Sequence, residues 1–298
     1  MASVADKLPE RPPVAPAREI PWSVIAWFAV LLIAANFPIL KRLVQQWWSD
    51  EDMGHGFLVP LVAAYIVWQR REELLSLEYK PAWWGIAIMG WGALQGYLGM
   101  LSAELFLQRS SVLIILLGLL LVLGGTALVR ALAYPLLLLP FMIPIPEIIY
   151  NRITFPLQVF ASSVAESVLA LLGIPVLREG NILVLASQSL DVAEACSGIR
   201  SLLSLAFLSL VYSYFFDKRV WMRWVLLFAT VPIAILANAG RVTVTGILSE
   251  EVNPELAHGF FHSLEGWLIF LIAGAMLIGL HALINVATRR WAAKEHLA

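Results

Sequence analysis

Trp224 to Leu248 reads WVLLFATVPIAILANAGRVTVTGIL, a run in which Arg241 is the single charged residue. A segment of this length and apolarity matches the roughly 30 Å hydrocarbon core of a bilayer. Inside that core a helix is the natural solution, because it pairs its own backbone donors and acceptors. The rest of the chain reads the same way. Of its 298 residues, 60% are hydrophobic and 14% are charged, against roughly 25% charged in soluble domains. The expected fold class is therefore an all-α polytopic membrane protein. A net charge of -1 gives no sign of a nucleic-acid partner. Twelve Trp, many at the ends of apolar runs, fit an aromatic interface belt.

About eight transmembrane helices are expected, over roughly 22–40, 57–69, 82–101, 111–129, 131–149, 198–215, 224–247 and 262–287. The fifth is interrupted by Pro135, Pro140, Pro144 and Pro146. Residues 1–21, rich in proline, read as a disordered cytoplasmic tail. Residues 22–288 form the transmembrane domain, and 289–298 a second cytoplasmic tail. The first apolar run is long and no small-residue cleavage site follows it, so it reads as an uncleaved span.

Eight spans put both termini on one side. Of the twenty Lys and Arg, thirteen then fall on the side of the termini and seven on the other. The positive-inside rule places the termini in the cytoplasm. Lys41 and Arg42 go against this count, and they fit an interfacial helix running toward Trp47 and Trp48.

Residues 150–193 are then expected outside. Arg152 to Leu172 reads as an interfacial helix or a re-entrant segment. In 173–193, Ile174-Pro-Val-Leu177 and Ile182-Leu-Val-Leu-Ala186 flank Arg178-Glu-Gly-Asn181, a short β-hairpin signal. A third extended piece, Ser189 to Ala193, leads toward Cys196.

Cys196 is the only cysteine. It is either a small packed hydrophobe or a working thiol. In the expected topology it lies just before an inward-running span. Arg241 closes Asn238-Ala-Gly-Arg241 at the outer end of the next span, and His262 opens the last one, in His262-Ser-Leu-Glu-Gly266. Three consecutive helices joined by short connections pack as neighbours. A helix start and a nearby cation both lower a thiol's pKa. Histidine moves protons near neutral pH. Arginine presents fixed donors to a developing oxyanion.

Blander readings stand beside this one. A lone cysteine in a membrane helix most often packs, and an arginine at a span end often snorkels to headgroups. Arg241, with apolar sequence on both sides, argues for a working role. Asp50, Glu51, Asp52 and His55 read as a solvated outer loop, as do Glu250, Glu251 and Glu255. His281 lies deep in the last span with no obvious partner. No metal-ligand spacing is present, so no metal and no cofactor are expected. Two rival functions remain open on this reading. One is a transporter or channel in which Arg241 binds an anion and Cys196 is structural. The other is an enzyme acting on lipid-linked substrates through His262 and the outer acids.

Glu194-Ala-Cys-Ser-Gly-Ile-Arg-Ser201, Asn238-Ala-Gly-Arg-Val242 and His262-Ser-Leu-Glu-Gly266 resemble, in order, the three motifs of the exosortases, whose archaeal relatives are the archaeosortases. The resemblance covers about residues 22–287. It implies a bacterial inner-membrane cysteine protease or transpeptidase with its active site at the periplasmic face. The implied partners are membrane lipids and secreted proteins. The latter end in a Pro-Glu-Pro-type motif, a transmembrane helix and a basic cluster. By motif matching, Cys196 is the nucleophile, Arg241 the transition-state stabiliser and His262 the general acid/base. Glu194, Ser197, Gly198 and Asn238 are supporting residues. The 173–193 hairpin is expected to grip the motif by strand addition, with Arg178 or Arg200 meeting its acidic residue.

Overall fold

The computed structural model describes residues 22–192, 200–252 and 260–295. Helix α1 (Trp22–Ala35) and helix α2 (Phe37–Ser49) meet at an angle of 81°. The bend falls at Asn36, whose Nδ2 donates to the Leu32 carbonyl at 2.9 Å, and Pro38 opens α2 without a backbone donor. Helix α2 buries Leu43 and Trp47 and leaves Lys41 and Arg42 exposed. The Trp47 indole donates to the Met142 carbonyl at 2.9 Å.

A 3-10 helix (Glu51–Phe57) leads into α3 (Leu58–Gln69) and the short α4 (Arg71–Ser76). Helices α5 (Gly85–Leu101) and α6 (Leu105–Ala131) then form a close hairpin. Gly85 and Gly118 set its spacing: a Cβ on Gly85 would meet the Gly118 carbonyl oxygen at 2.6 Å. Small residues of this kind let membrane helices touch backbone to backbone. Near its end α6 kinks at Gly125, where φ is 70°.

Helix α7 (Ala133–Leu138) and a 3-10 turn (Leu139–Met142) stop short, and α8 (Glu147–Leu171) follows Pro144 and Pro146. Three antiparallel strands come next: β1 (Val176–Glu179), β2 (Ile182–Leu185) and β3 (Ser189–Asp191), in the order β1-β2-β3. The chain ends in α9 (Arg200–Phe216), α10 (Val220–Glu251) and α11 (Phe260–Glu295).

Among the described residues, four helices are long and apolar enough to cross a membrane: Leu105–Ala131, Glu147–Leu171, Val220–Glu251 and Gly266–Arg289. The bent pair α1–α2 makes up to five. This is fewer than the eight expected. Four expected spans fall on short helices: α3, α5, α7 with its 3-10 turn, and α9. The expected fifth span is broken where its prolines cluster.

Helix α8, by contrast, is a single helix of 25 residues, longer than the Arg152–Leu172 piece expected and long and apolar enough to cross a membrane. Its polar residues concealed this. Ser162 is fully buried, yet its hydroxyl donates to the Gln158 carbonyl at 2.8 Å, so the helix satisfies it internally. Helix α8 runs in the same direction as α10. Leu157 shares a groove with Ala234, and Leu169 touches Gly246.

The sheet caps the end of α8 and α10. Its turn at Gly180 has φ of 67°, a left-handed geometry that glycine adopts without strain. One face buries Leu183, Leu185 and Leu190, with Val192 following, against Ala165, Leu169, Ile174 and Val242. Each such leucine contributes about 2 kcal/mol on burial from water. Ser187 donates from its backbone N–H and its hydroxyl to Glu250 Oε1, and Gln188 donates to Ser249 Oγ at 2.7 Å. Glu250 is thus part of the last turn of α10, with a partner on the sheet, and not of a solvated loop.

Candidate functional site

Asn238 and Arg241 stand three residues apart on α10, and both are buried, at 4% and 3% exposure. A charge so placed is costly unless its donors are used. On the same stretch of helix, Thr243 and Thr245 donate their hydroxyls to the Ala239 and Arg241 carbonyls at 2.8 and 3.0 Å.

Helix α11 runs antiparallel to α10, and it meets Arg241 at Gly266. A Cβ built on Gly266 would stand 3.6 Å from Arg241 Nη2 and 3.8 Å from Cζ and Nη1. The guanidinium therefore lies against the bare backbone of α11. His262 is four residues earlier on that helix, one turn up on the same face. That turn rises roughly 6 Å. The side chain of His262 lies outside the described residues, as does that of Arg200, whose backbone opens α9.

Cys196, Glu194, Ser197 and Gly198 fall within 193–199, outside the described residues. The flanks of that stretch are described. Val192 is fully buried in the same apolar cluster as Val242, the neighbour of Arg241, and its N–H donates to the Asn181 carbonyl at 2.9 Å. Leu202, two residues into α9, shares a groove with Asn238, Leu157, Val231, Ala234 and Ile235. Among the described residues, the Asn238 Oδ1 in that groove accepts no hydrogen bond.

Arg178 lies on the edge strand β1, and Glu166 of α8 occupies it: Nε donates to Oε2 at 2.7 Å. A substrate carboxylate meeting Arg178 has to compete with Glu166. Among the described residues no group of His, Cys, Asp or Glu is arranged to hold a metal.

Two polar clusters were missed in the sequence. His55 is half-buried and not part of a solvated loop. Its Nε2 donates to the Phe141 carbonyl at 3.1 Å, and Nδ1 meets the Ser204 hydroxyl at 3.0 Å. This ties the 3-10 helix to α9, the helix that follows Cys196. His281 is not alone either: it contacts Asp217 Oδ2 and the Tyr212 hydroxyl, each at 2.9 Å. Arg219 beside Asp217 holds that carboxyl well below the usual carboxylate range, with His281 acting in the same direction against the opposing effect of burial. No sequence signal pairs these residues: the 3-10 helix packed on α9 brings His55 to Ser204, and the packing of α9, α10 and α11 brings His281 to Tyr212 and Asp217.

Chemically, the site end offers a buried guanidinium beside a glycine, one helical turn from a histidine position. Such an arrangement suits an anion that develops during a reaction better than a permanently solvated one. A comparison with known protein families matches residues 47–279, most of the chain, to the family of transmembrane exosortases (Exosortase_EpsH). No curated protein and no solved structure matches the chain.

Proposed function

Because the chain belongs to the transmembrane exosortase family, we propose that it is a membrane cysteine transpeptidase or protease that removes the C-terminal sorting tail of secreted proteins. The observation that carries this reading is the buried Arg241 guanidinium against Gly266, one turn from His262.

In the proposed reaction the Cys196 thiolate attacks the scissile carbonyl near the Pro-Glu-Pro-type motif. The carbonyl oxygen takes up the negative charge, and Arg241 donates to it. As the C–N bond breaks, His262 gives its proton to the leaving amine, and an acyl-thioester remains on Cys196. An incoming amine, or water, gives a proton to His262 as it attacks the thioester; the C–S bond breaks and Cys196 leaves as the thiolate. Glu194, Ser197, Gly198 and Asn238 support this centre, and the 173–193 sheet takes up the extended motif at an open edge. The sheet end of the bundle then faces the periplasm, with the protein in the inner membrane and both termini in the cytoplasm. Residues 1–21 and 289–298 are tails on that reading, and 22–288 the working domain.

Thiol reactivity tests the assignment. Alkylation of Cys196 by a membrane-impermeant reagent should proceed from the periplasmic side and slow when Arg241 or His262 is replaced by alanine. Equal rates in all three proteins would mean that neither residue acts on the thiol.

A further inference from the structure

The opposite end of the bundle carries a second polar feature that the proposed reaction does not use. Where α9 turns into α10 beside the end of α11 there is an open cleft of about 340 Å³, lined by Asp217, Lys218, Arg219, Thr288 and Arg289, with Phe216 at its edge. That volume lies in the range of small-ligand sites, roughly 300–1,000 Å³.

Three cations face one anion in this cleft, and the anion is already engaged. Arg219 holds Asp217 through two parallel contacts, Nε to Oδ1 at 3.0 Å and Nη2 to Oδ2 at 2.5 Å, and also donates to Asn285 Oδ1. His281 takes the remaining face of Asp217 at 2.9 Å. Lys218 and Arg289 are exposed and form no ion pair among the described residues. The Thr288 hydroxyl donates to its own helix, to the Ile284 carbonyl at 2.9 Å. The cleft therefore offers positive charge and N–H donors to an acceptor-rich anion.

Its position selects the source of that anion. The cleft sits at the ends of two helices long and apolar enough to cross a membrane, Val220–Glu251 and Gly266–Arg289, the place that headgroups occupy on helices that span. Its surroundings are apolar and open: Phe216 is 71% exposed and Val220 63%. Trp221 lies under the Arg219 guanidinium at 5.1 Å, as an interfacial aromatic does. A free anion has no use for such a rim, whereas acyl chains cover it. Basic pockets between helices at this depth suit acidic headgroups. We propose that this cleft binds the phosphate headgroup of an anionic glycerophospholipid, tying the α9–α10 turn to the end of α11.

The test uses the full chain in detergent, with binding of phosphatidylglycerol read by native mass spectrometry and by thermal shift. Phosphatidylcholine and inorganic phosphate serve as comparison ligands. The double variant Lys218→Gln/Arg289→Gln should weaken phosphatidylglycerol binding roughly tenfold to thirtyfold. Without lipid its unfolding should match the wild type. The variant Arg71→Gln/Arg130→Gln removes two cationic charges elsewhere, Arg130 exposed and Arg71 half-buried against Trp68, and should bind as wild type does. The proposal is overturned by undiminished binding in the first variant or by an equal loss in the second. Equal stabilisation by phosphatidylcholine or by inorganic phosphate alone overturns it as well.

Discussion

The Arg241 guanidinium rests on Gly266, with 3.6 Å from Nη2 to the place where a Cβ would stand. That is ordinary van der Waals distance, so the first carbon of a side chain fits and further ones do not. Gly266→Ala should keep most of the activity. Gly266→Leu should push the guanidinium away and cost roughly 100-fold, the scale of losing one transition-state donor. Processing rates of a tail-bearing reporter, with expression and unfolding temperature as controls, measure both. Equal activity in the two variants would break the link between Gly266 and Arg241.

Arg241 itself allows a sharper comparison. Lysine preserves charge but not the planar fork of donors. Arg241→Lys should lose at least about tenfold in processing, and Arg241→Ala roughly 100-fold or more. Full activity of the lysine variant would reduce the residue to a simple positive charge.

Arg178 is held by Glu166 at 2.7 Å, and this makes its proposed recognition role separable from a structural one. If Arg178 receives the acidic residue of the motif, Glu166→Gln removes a competitor and should lower the apparent KM for the reporter. Replacing Arg178 and Arg200 together by Gln should raise it. If Arg178 only braces β1 against α8, both changes lower stability and neither moves KM in the predicted direction.

Asp217 links stability to pH. Its carboxyl is held below the usual range, chiefly by the hydrogen bond from Arg219. A carboxyl with a depressed folded pKa stabilises the fold above its unfolded value of about 3.9 and loses that contribution as pH falls through the folded value. Asp217→Asn should therefore destabilise by about 2 kcal/mol at pH 7. The gap should narrow below about pH 4. Thermal unfolding in detergent at pH 7 and pH 3 reads both, and a gap that widens in acid contradicts the pairing.

His55 joins the Phe141 carbonyl to Ser204 on α9. His55→Ala should cost about 1–2 kcal/mol of stability by breaking two partly buried hydrogen bonds. Ser204→Ala should cost less, because the carbonyl contact survives. Equal losses in both variants would mean that the hydroxyl contact carries the whole effect.

The membrane class and the placement of Arg241 were legible because both are local. An arginine in a long apolar run stands out in any reading. The hairpin was equally legible, since Arg178-Glu-Gly-Asn181 places Gly180 where φ must be positive. Span count was not. Asn36 turns the chain by 81° inside one apolar run, and Ser162 hides in another by bonding to its own helix. Glu166 with Arg178, Asp217 with His281, and His55 with Ser204 were illegible for a different reason. Each partner lies on another element, and only packing brings them together.

Whether Cys196 performs the chemistry is read from the fate of a substrate tail. A reporter carrying a Pro-Glu-Pro-type C-terminal tail is co-expressed with the wild-type chain or with Cys196→Ala, and the mass of its new C-terminus is determined. Tail loss is expected with the wild type only, the mass telling transfer to an amine from hydrolysis. Equal tail loss with both proteins would contradict that role for Cys196.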